Sequence, residues 1–208
     1  MDAVELNKPH IIALYSDAPR AGKSTAAREL IRLASAEPLA ATVVSFAYPI
    51  RRAARQVLPA SWSTEKVREH LSGDKKDAPL GELGGRSGRD LLKIIGNTVR
   101  RSVRDDLWAD RLLEEIDQTC FGGVVVIDDL RFPGEYAKLK ERGAFLIRLV
   151  TTHPVPLSGV PAEMVDGLLN NCDFDAQVPA KGLVPQEVLE KLIGDLWRDR
   201  IKSWVDLA

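Results

Sequence analysis

Short apolar runs alternate along the chain with longer stretches in which apolar residues recur every three or four positions. The length and composition of the runs predict buried parallel strands. The longer stretches predict helices, because side chains at that spacing share one helical face. Alternating strands and helices predict an α/β fold, with a five-stranded parallel sheet in three layers and helices on both faces. Strands are predicted at 10–15, 42–46, 124–127, 145–150 and 174–178.

Several of the predicted helices begin at recognisable signals. Ser87 and Asp90 have the spacing of a capping box, and Ser63 or Thr64 is a cap residue for another helix. Helices are predicted at 23–36, 49–58, 63–71, 106–118, 134–142, 164–169 and 185–204. The helix after Ser87 has an apolar face formed by Leu91, Leu92, Ile95, Val99 and Val103. Glycine-rich residues 72–87 predict a loop.

Residues 16–25, with the sequence SDAPRAGKST, follow the first predicted strand and lead into the first predicted helix. Gly22, Lys23 and Ser24 fit the end of the phosphate-binding pattern G-x-x-x-x-G-K-[ST]. In loops with this pattern, backbone N–H groups point at a bound anion and the helix dipole favours its negative charge. Ala21, Gly22, Lys23, Ser24 and Thr25 would bind the anion here. Lys23 would reach the β- and γ-phosphates, and the Ser24 hydroxyl would ligate Mg²⁺. The alternative is an ordinary strand–turn–helix with a capping serine.

Asp17 stands where the pattern has its first glycine, and two explanations are open. In one, the turn is made differently, with Pro19 and Arg20 shaping it. In the other, the carboxylate repels a nearby phosphate and lowers the affinity for nucleotide.

A second group of candidate residues follows the strand at 124–127. Asp128, Asp129 and Arg131 lie at its carboxyl end, which is where ligands bind in open α/β sheets. Carboxylates in that place hold Mg²⁺ directly or through water. The alternative is a solvated strand end.

Basic residues form a stripe on the helix after Ser87. Arg89, Lys93, Arg100 and Arg104 fall within about 60° of one another at 100° per residue. Gly96 adjoins the stripe and lets a ligand approach the backbone. An anion-binding surface and a solvated basic face are both open.

Length and composition limit the class of protein. A chain of 208 residues that is 45% hydrophobic buries one core. The 29 basic and 30 acidic residues nearly cancel, which argues against a protein that coats nucleic acid. Cys120 and Cys172 form no metal or disulfide pattern and suit a reducing compartment. Without a membrane-length apolar run or a signal peptide, a cytoplasmic location and no membrane partner are expected.

Four stretches of the sequence match a known family in combination. They are residues 16–25, the SFAYPIR segment at 45–51, residues 89–108 beginning RDLLKIIG, and the DLRFPGE segment at 129–135. Together they resemble the bacteriophage-type deoxynucleoside monophosphate kinases, within the P-loop nucleoside monophosphate kinases. Asp17 departs from the family glycine, and Tyr48 departs from the family aspartate.

The resemblance implies transfer of the ATP γ-phosphoryl group to the 5′-phosphate of a deoxynucleoside monophosphate, with Mg²⁺ as cofactor. It implies catalytic roles for Lys23, Arg20, Asp129 and Arg131, and magnesium binding by Ser24 and Asp128. The implied acceptor-binding residues are Phe46, Arg51, Arg89, Arg101, Trp108, Asp128 and Arg131. For the arginine on this helix that binds the acceptor, the position of the basic stripe favours Arg100 or Arg104, whereas the motif match favours Arg101. Phe46 and Trp108 either stack on a base or pack in the core.

The resemblance also implies one P-loop kinase domain over residues 1–208. Within it we expect a helical substrate-binding lobe at about 46–110 and a short lid loop at about 151–163. The family lid carries an arginine, whereas this segment contains His153 and no arginine. For a phage-encoded enzyme the location would be the host cytoplasm. Trp197 and Trp204 on the last helix leave a homodimer open.

Two other functions remain open from the sequence. One is a P-loop kinase that phosphorylates a hydroxymethylated base in DNA, for which DNA would be a partner. The other is a nucleotide-binding protein without turnover, in which Asp17 has impaired the loop.

Overall fold

The first strand lies at the centre of the sheet. The computed structural model describes residues 8–18, 21–37, 39–120, 122–151, 168–180 and 183–207. Its strands are β1 His10–Ser16, β2 Ala41–Val44, β3 Val124–Leu130, β4 Phe145–Val150 and β5 Ala176–Pro179. They form one sheet in the order β2-β3-β1-β4-β5, and every neighbouring pair is parallel. The predicted α/β class and five-stranded parallel sheet are confirmed.

Helices connect the strands in chain order. Among the described residues they are α1 Lys23–Ala36, α2 Ala47–Arg55, α3 Thr64–Leu71, α4 Gly88–Ser102, α5 Leu107–Thr119, α6 Pro133–Glu141, α7 Gln186–Leu196 and α8 Lys202–Leu207. A 3-10 turn at Gly81–Leu83 precedes α4, and a π-helical turn at Trp197–Ile201 joins α7 to α8. No helix among these residues is long and apolar enough to cross a membrane.

The described residues pack as two units, of which the first contains the sheet. It comprises the residues up to Ser45 and those from Leu113 onwards. On one face of the sheet, side chains of β1, β3, β4 and β5 pack against Leu30 of α1 and Ile193 of α7. Alternate side chains point to the other face, where Ile127 and Leu146 are fully buried. Ile116 of α5 and Leu139 of α6 are buried there too, so helices cover both faces.

The second unit, Phe46–Leu112, is helical. Its core consists of Ala54, Leu58, Trp62, Val67, Leu71, Leu80 and Leu91, contributed by α2, α3, α4 and the loops between them. The predicted capping box begins α4, because the Ser87 hydroxyl accepts the N–H of Asp90 while the Asp90 carboxylate accepts the N–H of Ser87. Residues 46–110, predicted as a helical lobe, fall within this unit.

Several predicted element boundaries differ from the structure, among them the end of β2 at Val44 and the end of α2 at Arg55. Strand β3 continues through Leu130, beyond the predicted end at 127. Helix α4 ends at Ser102, so Val103 is 65% exposed and is not part of a buried apolar face. Strand β5 starts at Ala176, and at Asp175, the residue before it, the side-chain carboxylate accepts the N–H of Leu146 at 2.8 Å. Of the predicted helix at 164–169, residues 164–167 lie outside the described residues.

A substitution at Gly88, at the start of α4, tests the packing of the helical unit. A Cβ atom added there would overlap the backbone carbonyl oxygen of His70, which cannot move as a flexible side chain does. We expect Gly88→Ala to lower the free energy of unfolding by about 2–4 kcal/mol, because overpacking forces the backbone to shift. Gly81→Ala is the control, since a Cβ at Gly81 meets nothing within 4 Å. Urea denaturation of both variants measures the difference, and equal stability would contradict the packing of α3 on α4.

Candidate functional site

Gly22 connects the end of β1 to the start of α1 through a left-handed backbone conformation. Its φ is 96° and its ψ is 10°, values that glycine adopts without strain. A Cβ at this position would also lie 2.8 Å from Cδ2 of Leu189 on α7. The Gly22 carbonyl accepts the N–H of Ala26 at 2.9 Å and so begins the helix. The glycine of the phosphate-binding pattern therefore has a conformational reason, since the Leu189 side chain could move away from a Cβ.

The Lys23 side chain turns back over the loop. Its Nζ donates to the Ser16 hydroxyl at 2.5 Å, and that hydroxyl donates to the carbonyl of Ala18 at 2.8 Å. Ser16 is almost fully buried, whereas Ser24 on the first turn of α1 is exposed. The ammonium group is thus held beside the chain that enters the loop.

Asp17 is buried, and its carboxylate is paired with groups at the end of β4. Oδ2 is 3.5 Å from Nη2 of Arg148, and Oδ1 accepts the hydroxyl of Thr151 at 3.1 Å. The side chains of Asp17 and Arg148 are 8% and 15% exposed. A guanidinium compensates the negative charge, which argues against the second explanation, in which the carboxylate repels a phosphate. Pro19 and Arg20, on which the first explanation depends, lie outside the described residues.

Arg148 is held from a second side by Asn170. Its Nη1 donates to the carbonyl of Asn170 at 2.8 Å. The Tyr15 hydroxyl donates to Oδ1 of Asn170 at 2.9 Å and accepts the N–H of Leu169 at 3.4 Å. This polar cluster was not predicted from the sequence. Its signal was Arg148 itself, a charged residue within the apolar FLIRLV run of β4, where burial requires a counter-ion.

The carboxylates Asp128 and Asp129 lie on β3, next to the loop strand. Ala13 pairs with Ile127 and Tyr15 pairs with Leu130, so two residues of β3 stand opposite Leu14. This irregularity is a β-bulge, a feature that redirects side chains at sheet edges and active sites. Both aspartates are partly exposed and both have interaction partners. The loop that leads to Lys23 and Ser24 leaves β1, and the two carboxylates lie near the end of the neighbouring parallel strand β3. Both groups therefore follow or end strands at the carboxyl edge of the sheet.

Arg131 follows β3, and its backbone is fixed by a buried acid. Glu135, which is 1% exposed, accepts the N–H groups of Arg131 and Phe132 through Oε2, both at 3.1 Å. These bonds set the turn from β3 into α6 and leave the Arg131 side chain exposed. This role of Glu135 was not predicted from the sequence, where the residue was noted only as part of the DLRFPGE segment.

No group of three or more His, Cys, Asp or Glu side chains suited to a metal ion occurs in the part of the chain that the structure describes. A magnesium ion fits this arrangement only as a nucleotide-bound ion, since Mg²⁺ keeps several waters and takes one or two protein oxygens. Ser24 and Asp128 can supply those oxygens.

Three of the predicted acceptor arginines, Arg51, Arg89 and Arg101, lie in the helical unit. Arg89 is bound to Asp77, with Nε–Oδ1 at 2.5 Å and Nη2–Oδ2 at 3.1 Å. This guanidinium lowers the pKa of the Asp77 carboxyl below its ordinary value. Arg51 is partly exposed and Arg101 is exposed. Arg104, in the predicted stripe, pairs with Asp106 and Asp110, so part of the stripe is compensated internally.

The two aromatic candidates are buried in the helical unit. Trp108 is 6% exposed and Phe46 is 2% exposed. The indole Nε1 of Trp108 donates to the carbonyl of Gly96 at 3.1 Å. These contacts favour the packing alternative over base stacking.

Several predicted residues lie outside the described part of the chain. Arg20 is one of them, as are His153 and all of the predicted lid at 151–163 except Thr151.

Comparisons with known proteins do not identify a family. No family model matches the chain, and no curated protein matches it. Among solved structures, a mutant APS kinase from Mycobacterium tuberculosis aligns at 11% sequence identity with a TM-score of 0.42. The alignment covers 92% of this chain and 100% of that chain. Similarity at this level defines neither family nor activity, and the strand order and pairing establish the fold.

Trp108→Phe tests the packing role of that residue. The variant keeps an aromatic ring but loses the buried hydrogen bond to Gly96 and leaves a small void. We expect the free energy of unfolding to fall by about 1–3 kcal/mol. Unchanged stability in a denaturant titration would contradict the packing role.

Proposed function

We propose that this protein transfers the γ-phosphoryl group of ATP to the 5′-phosphate of a deoxynucleoside monophosphate. The observation that carries the proposal is the arrangement at the carboxyl edge of β1 and β3. A left-handed Gly22 begins α1, Lys23 follows it, and Asp128 and Asp129 stand on the neighbouring strand. Phosphoryl transfer requires this combination of backbone donors, a cation and carboxylates on one edge.

The loop residues would act on the donor nucleotide. The N–H groups at the start of α1 and the helix dipole favour the negative charge of the phosphates. Lys23 would leave the Ser16 hydroxyl and move its ammonium to the β- and γ-phosphates. Bound Mg²⁺ would neutralise phosphate charge, with Ser24 and Asp128 as its protein ligands. Asp129 and Arg131 would orient the reacting groups, since positioning and charge neutralisation dominate such reactions.

The charge distribution supports an anionic acceptor on the helical unit. Residues 46–112 carry 14 Lys and Arg against 9 Asp and Glu, whereas the rest of the chain carries 15 against 21. The excess of positive charge favours a phosphate-bearing acceptor, for which Arg51, Arg89 and Arg101 are the candidates. Binding would require Arg89 to exchange Asp77 for the acceptor phosphate.

The same charges favour a mononucleotide over DNA. Much of the basic surface of the helical unit is compensated within the unit, as in the pairs Arg89–Asp77, Arg104–Asp106 and Lys75–Glu69. A protein that binds duplex DNA neutralises several phosphates at once with lysines and arginines that are available to them. A single acceptor phosphate needs far fewer cations.

A transfer assay separates the proposed function from its alternatives. Mg-ATP labelled at the γ-phosphate is incubated with each deoxynucleoside monophosphate, and separately with DNA that carries hydroxymethylated bases. We expect label on a mononucleotide. Label on DNA alone would replace the proposal with the DNA kinase, and nucleotide binding without transfer would support a protein that lacks turnover.

Lys23→Ala tests the loop. We expect transfer to fall by at least about 100-fold, because the removed cation stabilises charge that develops on the transferring oxygens. The fold should persist, since Lys23 is only half-buried and the core does not include it. Lys191→Ala on the exposed side of α7 is the control and should retain full activity. Comparable activity of both variants, measured in the same labelling assay, would remove the loop from the mechanism.

Asp128→Asn and Asp129→Asn test the carboxylates of β3. We expect Asp128→Asn to raise the Mg²⁺ concentration for half-maximal activity, because an amide binds Mg²⁺ less strongly than a carboxylate does. Asp129→Asn should lower kcat at saturating Mg²⁺. Initial rates measured across a magnesium titration distinguish the two effects. Unchanged magnesium dependence and kcat in both variants would exclude these residues from the site.

A further inference from the structure

We propose that Asp17 and Arg148 form a positioning pair that holds the phosphate-binding loop in place of the first glycine of the pattern. The inference rests on the proposed function, in that the loop is taken to bind a nucleotide. Its starting point is the burial of both side chains, 8% exposed for Asp17 and 15% for Arg148. A buried charge is stable only with a partner, so each of the two residues requires the other.

The pair links the loop to the neighbouring strand. Tyr15 and Ser16 of β1 are paired in register with Arg148 and Leu149 of β4. Asp17 is the first residue beyond β1, where the chain leaves the sheet and the ladder no longer holds it. Its two contacts, with Arg148 and with the hydroxyl of Thr151, replace the ladder at that point. A glycine could make neither contact.

The guanidinium is itself held in a fixed position, which makes it a suitable anchor. Besides Asp17, it donates to the carbonyl of Asn170 at 2.8 Å. The Asn170 side chain in turn accepts the hydroxyl of Tyr15 at 2.9 Å. Arg148 therefore has hydrogen-bond acceptors on two sides. Asp17 is thus paired with a guanidinium whose position other groups also fix.

The position of the pair connects it to the catalytic lysine. Ser16, next to Asp17, accepts the ammonium of Lys23 at 2.5 Å. A displacement of Asp17 would move Ser16 and the N–H groups that follow it. Displacements of about 1 Å in such groups are costly to binding and catalysis. The pair would thus act on the nucleotide through the loop, without touching the phosphates.

The decisive variant is Asp17→Gly, which restores the phosphate-binding pattern. The positioning pair predicts that MgADP binds about 5–10-fold more weakly to this variant, because Arg148 loses its counter-ion and the loop loses its anchor. Repulsion between Asp17 and the phosphates predicts the reverse. Isothermal titration with MgADP measures the difference, and a variant that binds as tightly as the wild type, or more tightly, would overturn the proposal.

A double-mutant cycle tests whether the two residues act as a pair. Asp17→Asn and Arg148→Met are each expected to weaken MgADP binding, and the double variant should bind no worse than the weaker single variant. Additive losses would show that the residues act independently and would overturn the pair.

The control is Arg142→Met, which breaks the 2.6 Å ion pair with Asp117 in the same unit. That variant should retain the wild-type affinity for MgADP even where its thermal unfolding midpoint falls as far as that of Arg148→Met. Equal loss of affinity in both variants would assign the effect to general stability and would contradict a positioning role. If the wild-type protein binds no MgADP, both this inference and the proposed function fail. If it binds and Asp17→Gly binds equally well, only the pair fails.

Discussion

The parallel pairing of β1 with β3 on one side and β4 on the other is the constraint on which the site depends. Parallel strands present their carboxyl ends at the same edge of a sheet, and the central strand has two such neighbours. Asp128 and Asp129 approach the loop from β3, and Arg148 and Thr151 approach it from β4. The parallel pairing thereby brings residues more than 100 positions apart to one loop.

Buried charge then determines the details of this edge. Asp17, Glu135 and Arg148 lie where water cannot solvate them fully, and each makes specific polar contacts, although Nε of Arg148 has no hydrogen-bond partner among the described residues. Glu135 uses backbone N–H groups to fix the turn after β3, whereas Asp17 uses a side chain of another strand. Such groups hold two adjacent loops in defined positions, because losing any partner would leave a charge uncompensated.

The sequence predicted the architecture well because local signals and the global fold agree. Apolar runs marked all five strands, and the Ser87 capping box marked the start of α4. What it could not predict depends on long-range pairing. The bulge at Asp128 and the partners of Asp17 follow from the register between strands, which no short stretch of the sequence specifies. Arg148 was visible as a charge in an apolar strand, but its counter-ion was not.

A departure from a motif has different meanings when the replaced residue is exposed and when it is buried. An exposed aspartate at position 17 would place a charge beside a phosphate and weaken its binding, as the sequence alone allowed. A buried aspartate that already faces a guanidinium contributes little field at the phosphate, because the two charges form a close dipole. Here the carboxylate is directed toward β4, and the glycine that the loop does need is Gly22, whose φ is 96°. In the pair that we propose, the loop retains the glycine that its geometry requires, and Asp17 anchors it in place of the other glycine.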